Sequence, residues 1–175
     1  VDKAANDGAT PLASAAQNGN TDAMKLLLHA NANVDKAKND GATPFYMAAQ
    51  NGYVGAMKLL LKHGAQPDKE SNKGTPLGAA AANGRTAAAR LLLARLPATA
   101  VNAKRGSEQR TTLQKAAING HTSTVELLLF NGADPKMTFV VQPSGTIMTA
   151  LDAAKNNKRH LCVAALAPRT VACLQ

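Results

Sequence analysis

Tryptophan is missing from this 175-residue chain, and aromatic residues of all kinds make up only 3% of it. A core built around a few bulky rings is thereby excluded. Alanine and leucine must supply most of the apolar mass within the 45% of residues that are hydrophobic, which suits many short helices packed closely together. Cysteine is almost absent as well. Cys162 and Cys173 are too few for a disulfide framework and have no metal-ligand spacing, so a reducing, cytoplasmic compartment is expected. No apolar run approaches the roughly 18 residues that a membrane-spanning helix needs. There is no charged-then-apolar leader and no starting Met. VDKAANDGAT at residues 1–10 closely repeats VDKAKNDGAT at 34–43, so the expectation is a fragment cut from a longer protein, with further repeats before Val1.

Reactive constellations are equally sparse. The sequence has no HExxH, no GxSxG elbow, no phosphate-binding glycine loop and no dinucleotide fingerprint. His29, His63, His121 and His160 lie near no cysteine or carboxylate at ligand spacing. His29 and His63 instead suit helix C-termini, where positive charge is favoured. Asp7, Asp40 and Asp68 fall in polar linkers as turn formers. No catalytic residue, metal ligand or cofactor is predicted, and the chain does not read as an enzyme.

Lys and Arg number 20 against 11 Asp and Glu, a net charge of +9, which favours encounter with acidic partners. Most of the excess lies in the apolar, helix-forming stretches rather than in the polar linkers. Lys25, Lys58 and Arg90 recur at the same place in successive units and predict a basic ladder on an outer face. Two readings fit that ladder: a solvated face that keeps an apolar array dispersed, or a track for an acidic protein or nucleic acid. The lack of Trp and the scarcity of aromatics for base stacking argue against nucleic acid.

The dominant feature is repetition. GATPLASAAQNG at residues 8–19 returns as GATPFYMAAQNG at 41–52, and the Thr that opens each signal recurs at 10, 43, 75, 111 and 149, in steps of 33, 32, 36 and 38. Thr ahead of Pro begins a helix, the hydroxyl capping a free N–H and Pro occupying the first turn. Leu12, Ala15 and Ala16 then give that helix a small apolar face, and Asn18-Gly19 ends it. Asn51-Gly52, Asn83-Gly84 and Asn119-Gly120 repeat the stop, with Asn157-Lys158 in the last unit. Ala23, Leu26, Leu27 and Ala30 fall at helical spacing and predict the buried face of a second helix. Polar segments such as ANVDKAKNDGA, residues 32–42, predict fingers projecting between helix pairs.

This pattern resembles the ankyrin-repeat family, from about Val1 to Leu166, through its T-P-L core and its period. The resemblance implies an all-α solenoid of stacked antiparallel helix pairs with projecting hairpin fingers. Units fall at about 1–33, 34–66, 67–101, 102–135 and 136–167, followed by a tail over 168–175. Three departures stand out. Ala13, Tyr46, Gly78, Gln114 and Asp152 occupy the place where the family carries His, which implies softer joints between units. The third linker is lengthened and basic at Lys104, Arg105 and Arg110. The fourth is long and apolar, with 138–141 and 146–148 flanking the turn sequence Gln142-Pro143-Ser144-Gly145, which predicts a β-hairpin. Lys155, Lys158, Arg159 and the helix stop Pro168 suit a capping unit at the C-terminal end.

Family resemblance further implies a non-catalytic module that binds a partner protein or peptide on its concave face, working as a monomer. Carried onto this sequence, the contact residues are Asp40, Tyr46, Met47, Gln50, Asn51, Lys73, Arg110, Gln114 and Ile118. Phe45 replaces a core Leu, whereas Tyr46 and Met47 fit either core filling or partner contact. The alternatives are polyanion binding along the basic helix faces, or recruitment of substrate for a larger enzyme or effector.

Overall fold

A computed structural model describes residues 1–141 and 144–167. The Gln142-Pro143 part of the anticipated turn, the Pro168 helix stop, Cys173 and the predicted tail lie outside the described residues. Within them the chain forms α1 (Pro11–Gln17), α2 (Thr21–His29), α3 (Pro44–Asn51), α4 (Val54–Lys62), α5 (Pro76–Ala82) and α6 (Thr86–Leu93). A 3-10 turn at Ala98–Val101 leads to α7 (Thr112–Asn119) and α8 (Thr122–Phe130), then strands β1 (Thr138–Val141) and β2 (Thr146–Thr149), and finally α9 (Ala150–Asn156) and α10 (His160–Leu166).

Each odd-numbered helix begins for one reason. Thr10, Thr43, Thr75, Thr111 and Thr149 are extended, and each hydroxyl accepts a bond from the N–H three residues on. Each such cap contributes about 1 kcal/mol. The turn out of α3 needs Gly52, whose φ is +81° and whose missing Cβ would lie 2.9 Å from the Arg85 side chain of the next unit. A glycine there both relieves the left-handed strain and admits the neighbour.

The odd helices form an inner row, α1 against α3, α3 against α5, α5 against α7 and α7 against α9. The even helices form an outer row in the same order. Small residues make the close approach possible: Ala16, Ala48, Ala80, Ala116 and Ala154 are all fully buried. Larger side chains fill the layer between the rows, led by Phe45, Leu12, Met24, Met57, Leu60, Leu77, Leu92, Leu113 and Leu128. Since each layer touches only its neighbours, stability is shared along the stack. Among the described residues the fold is all-α apart from one hairpin.

One expectation fails at α2. Leu26 is 72% exposed, and Ala23 and Ala30 are exposed too, whereas Met24 and Leu28 are buried and Leu27 partly so. A Met-Lys-Leu-Leu-Leu run carries two overlapping apolar stripes about 100° apart per residue step. Contact with α1 and α4 selects the stripe through Met24, and the sequence pattern alone does not.

The fingers bond to one another through backbone. Asn39 N–H donates to Asp7 O at 3.0 Å, Asn72 N–H to Asp40 O at 3.0 Å, and Ser107 N–H to Asn72 O at 3.4 Å. At the finger bases, acidic and amide side chains tie each unit to the next. Asp2 accepts from Asn33 N–H, Asp35 from Gln66 N–H, and Asn102 from Asp134 N–H. Asp68 holds the same place in the third unit but has no such bond among the described residues. The lengthened linker forms a 3-10 turn there, in which Ala100 N–H donates to Pro97 O at 2.9 Å.

The hairpin anticipated in the fourth linker is present. β1 and β2 pair antiparallel, Thr138 with Thr149, Phe139 with Met148, Val140 with Ile147 and Val141 with Thr146. Phe139 and Met148 face inward onto Ala153, while Val140 and Ile147 face outward and are exposed. β2 runs one residue beyond the expected strand and delivers Thr149 directly into the cap of α9.

A concave groove between the inner helices and the fingers

Three inner helices and two fingers enclose a groove of about 280 Å³. α3 contributes Tyr46 and Gln50; α5 contributes Gly78, Ala79, Ala82 and Asn83 at its end; α7 contributes Lys115, Ile118 and Asn119. The fingers add Lys73, Glu108 and Arg110. Of the nine contact residues expected from sequence, the groove gathers Tyr46, Gln50, Lys73, Arg110 and Ile118. Asp40, Met47, Asn51 and Gln114 do not line it.

Burial decides between core filling and partner contact for Tyr46 and Met47, and corrects the reading of Gln114. Tyr46 is only 3% exposed and packs with Met47, Ala42 and Ala79, so its ring is a wall of the groove rather than a free anchor. Burial pushes its phenol above the ordinary tyrosine range, a hydrogen bond with Ser71 opposing that and Asp40 adding to it. Met47 belongs to the same small cluster.

Gln114 departs furthest from a free contact at 1% exposure. Its Oε1 accepts from Thr111 N–H at 2.8 Å and its Nε2 donates to Met137 O at 2.7 Å. Standing where the family carries His, it ties α7 to the approach of the hairpin. The joint is thus made by an amide instead of an imidazole, and is not soft here. Asn51 is half-buried and also committed: its Nδ2 donates to Gln17 O of the preceding unit and to Met47 O. The recurring Asn of the helix stops serves helix ends elsewhere too, Asn83 and Asn157 bonding the carbonyl four residues back.

Charges converge on the finger side. Lys73 Nζ lies 4.0 Å from an Asp40 carboxylate oxygen, and its side chain is largely exposed. Arg110 Nη1 pairs with Glu108 at 3.1 Å while its guanidinium lies 4.9 Å above the Phe139 ring. Its Nε is buried without a hydrogen-bond partner among the described residues. Lys115, which sequence reasoning passed over, is only 8% exposed and donates from Nζ to Lys73 O at 3.1 Å. Burial lowers its pKa below the ordinary lysine value, against the pull of Glu108 and Glu70 and with the push of Arg110.

A signal for Lys115 does exist in the sequence. Aligned on the capping Thr, the same position holds Ser14, Met47, Ala79 and Ala153, so a charged residue stands out at a place otherwise small or apolar. Asn83 and Asn119 also line the groove; their regular spacing marks them in the sequence, where the Asn-Gly pairs read first as helix stops. Glu108 is the groove polar group that no spacing marks, because the finger holding it has no counterpart of equal length.

The opposite face is plainer. Lys25, Lys58 and Arg90 are exposed on the outer helices, and Lys25 pairs with Asp22 at 2.8 Å. His121 is structural, its Nε2 lying 2.9 Å from Ala82 O in the preceding unit. Among the described residues no group of three or more His, Cys, Asp or Glu is placed to hold a metal ion. No helix among them is long and apolar enough to cross a membrane.

Comparison with known families agrees with this geometry. A family model described as ankyrin repeats (3 copies) matches residues 1–71 and 68–138. No curated protein matches the chain significantly.

Proposed function

The chain belongs to the ankyrin-repeat family, whose members are generally protein–protein interaction modules, and from that premise we propose that it binds a partner protein through the concave groove. The observation that carries this reading is the groove itself, where rigid inner helices and cross-bonded fingers bring Gln50, Lys73, Asn83, Arg110 and Ile118 to one surface. A surface held this way loses little conformational freedom on docking. Lys73, Arg110 and Lys115 against Glu108 make it net positive, which favours a partner with an acidic surface. Asp40 and Asn51 flank the groove and extend the contact surface. Tyr46, Met47 and Gln114 support it from beneath. The role is non-catalytic recognition by a monomer in a reducing, cytoplasmic setting, with Cys162 as a buried free thiol.

The test compares three proteins in partner capture: the native chain, a groove variant carrying Lys73→Glu and Asn83→Arg, and an outer-face variant carrying Lys58→Glu. All altered side chains are exposed, so thermal melting should fall only slightly, by the loss of the Asn83 bond to Ala79 O, and both variants should remain folded at the assay temperature. A partner lost by the groove variant and retained by the outer-face variant supports the reading. Equal retention by both variants refutes it.

A further inference from the structure

We propose that Lys115 is the floor of a carboxylate-binding subsite in the groove, which receives an Asp or Glu side chain from an acidic peptide segment of the partner. The inference rests on the concave-face reading above and adds to it the chemistry of the occupant.

The site is built rather than incidental. Lysine is among the residues least often buried without a paired charge. Lys115 is buried, yet no carboxylate lies within ion-pair distance of its ammonium among the described residues. The unit before it makes room. A Cβ on Gly74 would lie 2.9 Å from Lys115 Nζ, and one on Gly78 would lie 3.5 Å from the same atom. Position 78 is where the neighbouring units carry Tyr46 and Gln114, so a side chain there would close the space that the ammonium occupies.

An ammonium has three donors. One is held by Lys73 O, which anchors the head group at the groove wall, and the others are left to solvent or to a ligand. Arg110 beside it brings a second unmet donor, its buried Nε. Lys73 contributes a third cation at the rim. The nearby acids are already engaged: Glu108 with Arg110, Glu70 with Arg105 and Asp40 with Lys73. A partly dry pocket with excess positive charge and unspent N–H donors is matched by a small anion carrying acceptor oxygens. The groove is bordered by exposed Asn83 and Asn119, whose Nδ2 groups donate to Ala79 O and Ala82 O and whose side-chain carbonyls can accept from a peptide backbone N–H.

The test is fluorescence anisotropy of labelled deca-glutamate and deca-glutamine peptides with the full chain, at constant ionic strength. Deca-glutamate should bind and deca-glutamine should not. Lys115→Gln retains a polar N–H donor, one bond shorter than the ammonium, and removes the charge. It should weaken deca-glutamate binding by about tenfold or more, as for loss of a charge-assisted hydrogen bond. Lys58→Gln removes the same charge from the outer face and should change binding by less than about twofold, because distant exposed charges are screened.

Should Lys115→Gln fail to fold by circular dichroism, Glu108→Gln tests the same point from the exposed rim. Removing the one carboxylate of the lining should tighten deca-glutamate binding by about threefold. Absence of deca-glutamate binding, equal losses in the two lysine variants, or no tightening in Glu108→Gln would overturn the subsite. So would displacement of the peptide by inorganic phosphate where matched chloride has no effect, since the occupant would then be phosphate. A partner captured through the groove with undiminished affinity by Lys115→Gln would leave the concave-face reading standing and remove this one.

Discussion

Replacing Gln114 with Ala separates a structural tie from a contact residue. The side chain satisfies two backbone groups, the buried Thr111 N–H at 2.8 Å and the Met137 carbonyl at 2.7 Å. Leaving a buried polar group unsatisfied costs about 1–3 kcal/mol. Thr111 is 1% exposed and should suffer most of that range, whereas Met137 is half-buried and water can reach its carbonyl in part. The sum is a loss of about 2–3 kcal/mol, with little relief because alanine also leaves a void. Half of the capping box at α7 disappears with it. Urea denaturation followed by far-ultraviolet circular dichroism gives the total. Amide hydrogen exchange locates it, and protection should fall first across β1, β2 and α9, which lie beyond the lost Met137 tie. Gln50→Ala, half-buried in the groove, is the control and should stay within about 0.5 kcal/mol. A loss below that same limit for Gln114→Ala, with altered partner capture, would refute the tie and restore Gln114 as a contact residue.

Two further outcomes follow from the joints and caps. Asp35→Ala should cost about 1 kcal/mol in urea denaturation, because its carboxylate accepts the Gln66 N–H. Asp68→Ala, at the same place in the next unit, should leave the midpoint unmoved, and equal losses would show that the cross-unit bond is not what Asp35 contributes. Asp152 carries a pH signature: the Thr149 hydroxyl and N–H bonds hold its carboxyl below the ordinary value, with Lys155 assisting. A depressed folded pKa stabilises above about pH 4 and is lost as pH falls through the lowered value. Asp152→Asn should therefore flatten the acid limb of the melting-temperature profile in that window, and an unchanged limb would remove Asp152 from its causes.

Much of this protein was legible in its residues because the same local physics recurs from unit to unit, the Thr cap five times and the Asn-Gly stop and leucine run four times. A Thr cap before an apolar helix, an Asn-Gly stop and a leucine run each act within a few residues, so the helix pairs need no knowledge of the remaining chain. The hairpin of the fourth linker was readable for the same reason, turn residues between two β-prone runs. The all-α solenoid follows from that repetition, whereas the concave side as the place to look for a partner comes only from the family resemblance.

Side-chain exposure was decided at longer range. Whether Met24 or Leu26 faces inward depends on where α1 and α4 lie, since a leucine-rich helix offers both stripes equally. Gln114 reads from its position as a contact residue and Tyr46 as either core filling or contact, but both are buried once the stack has formed. Lys115 is the opposite case. Its depth, and the space that Gly74 and Gly78 leave for it, arise where two successive units meet. Local sequence sets backbone conformation through short-range sterics and hydrogen bonds, whereas burial and charge environment are properties of the packed interface between units.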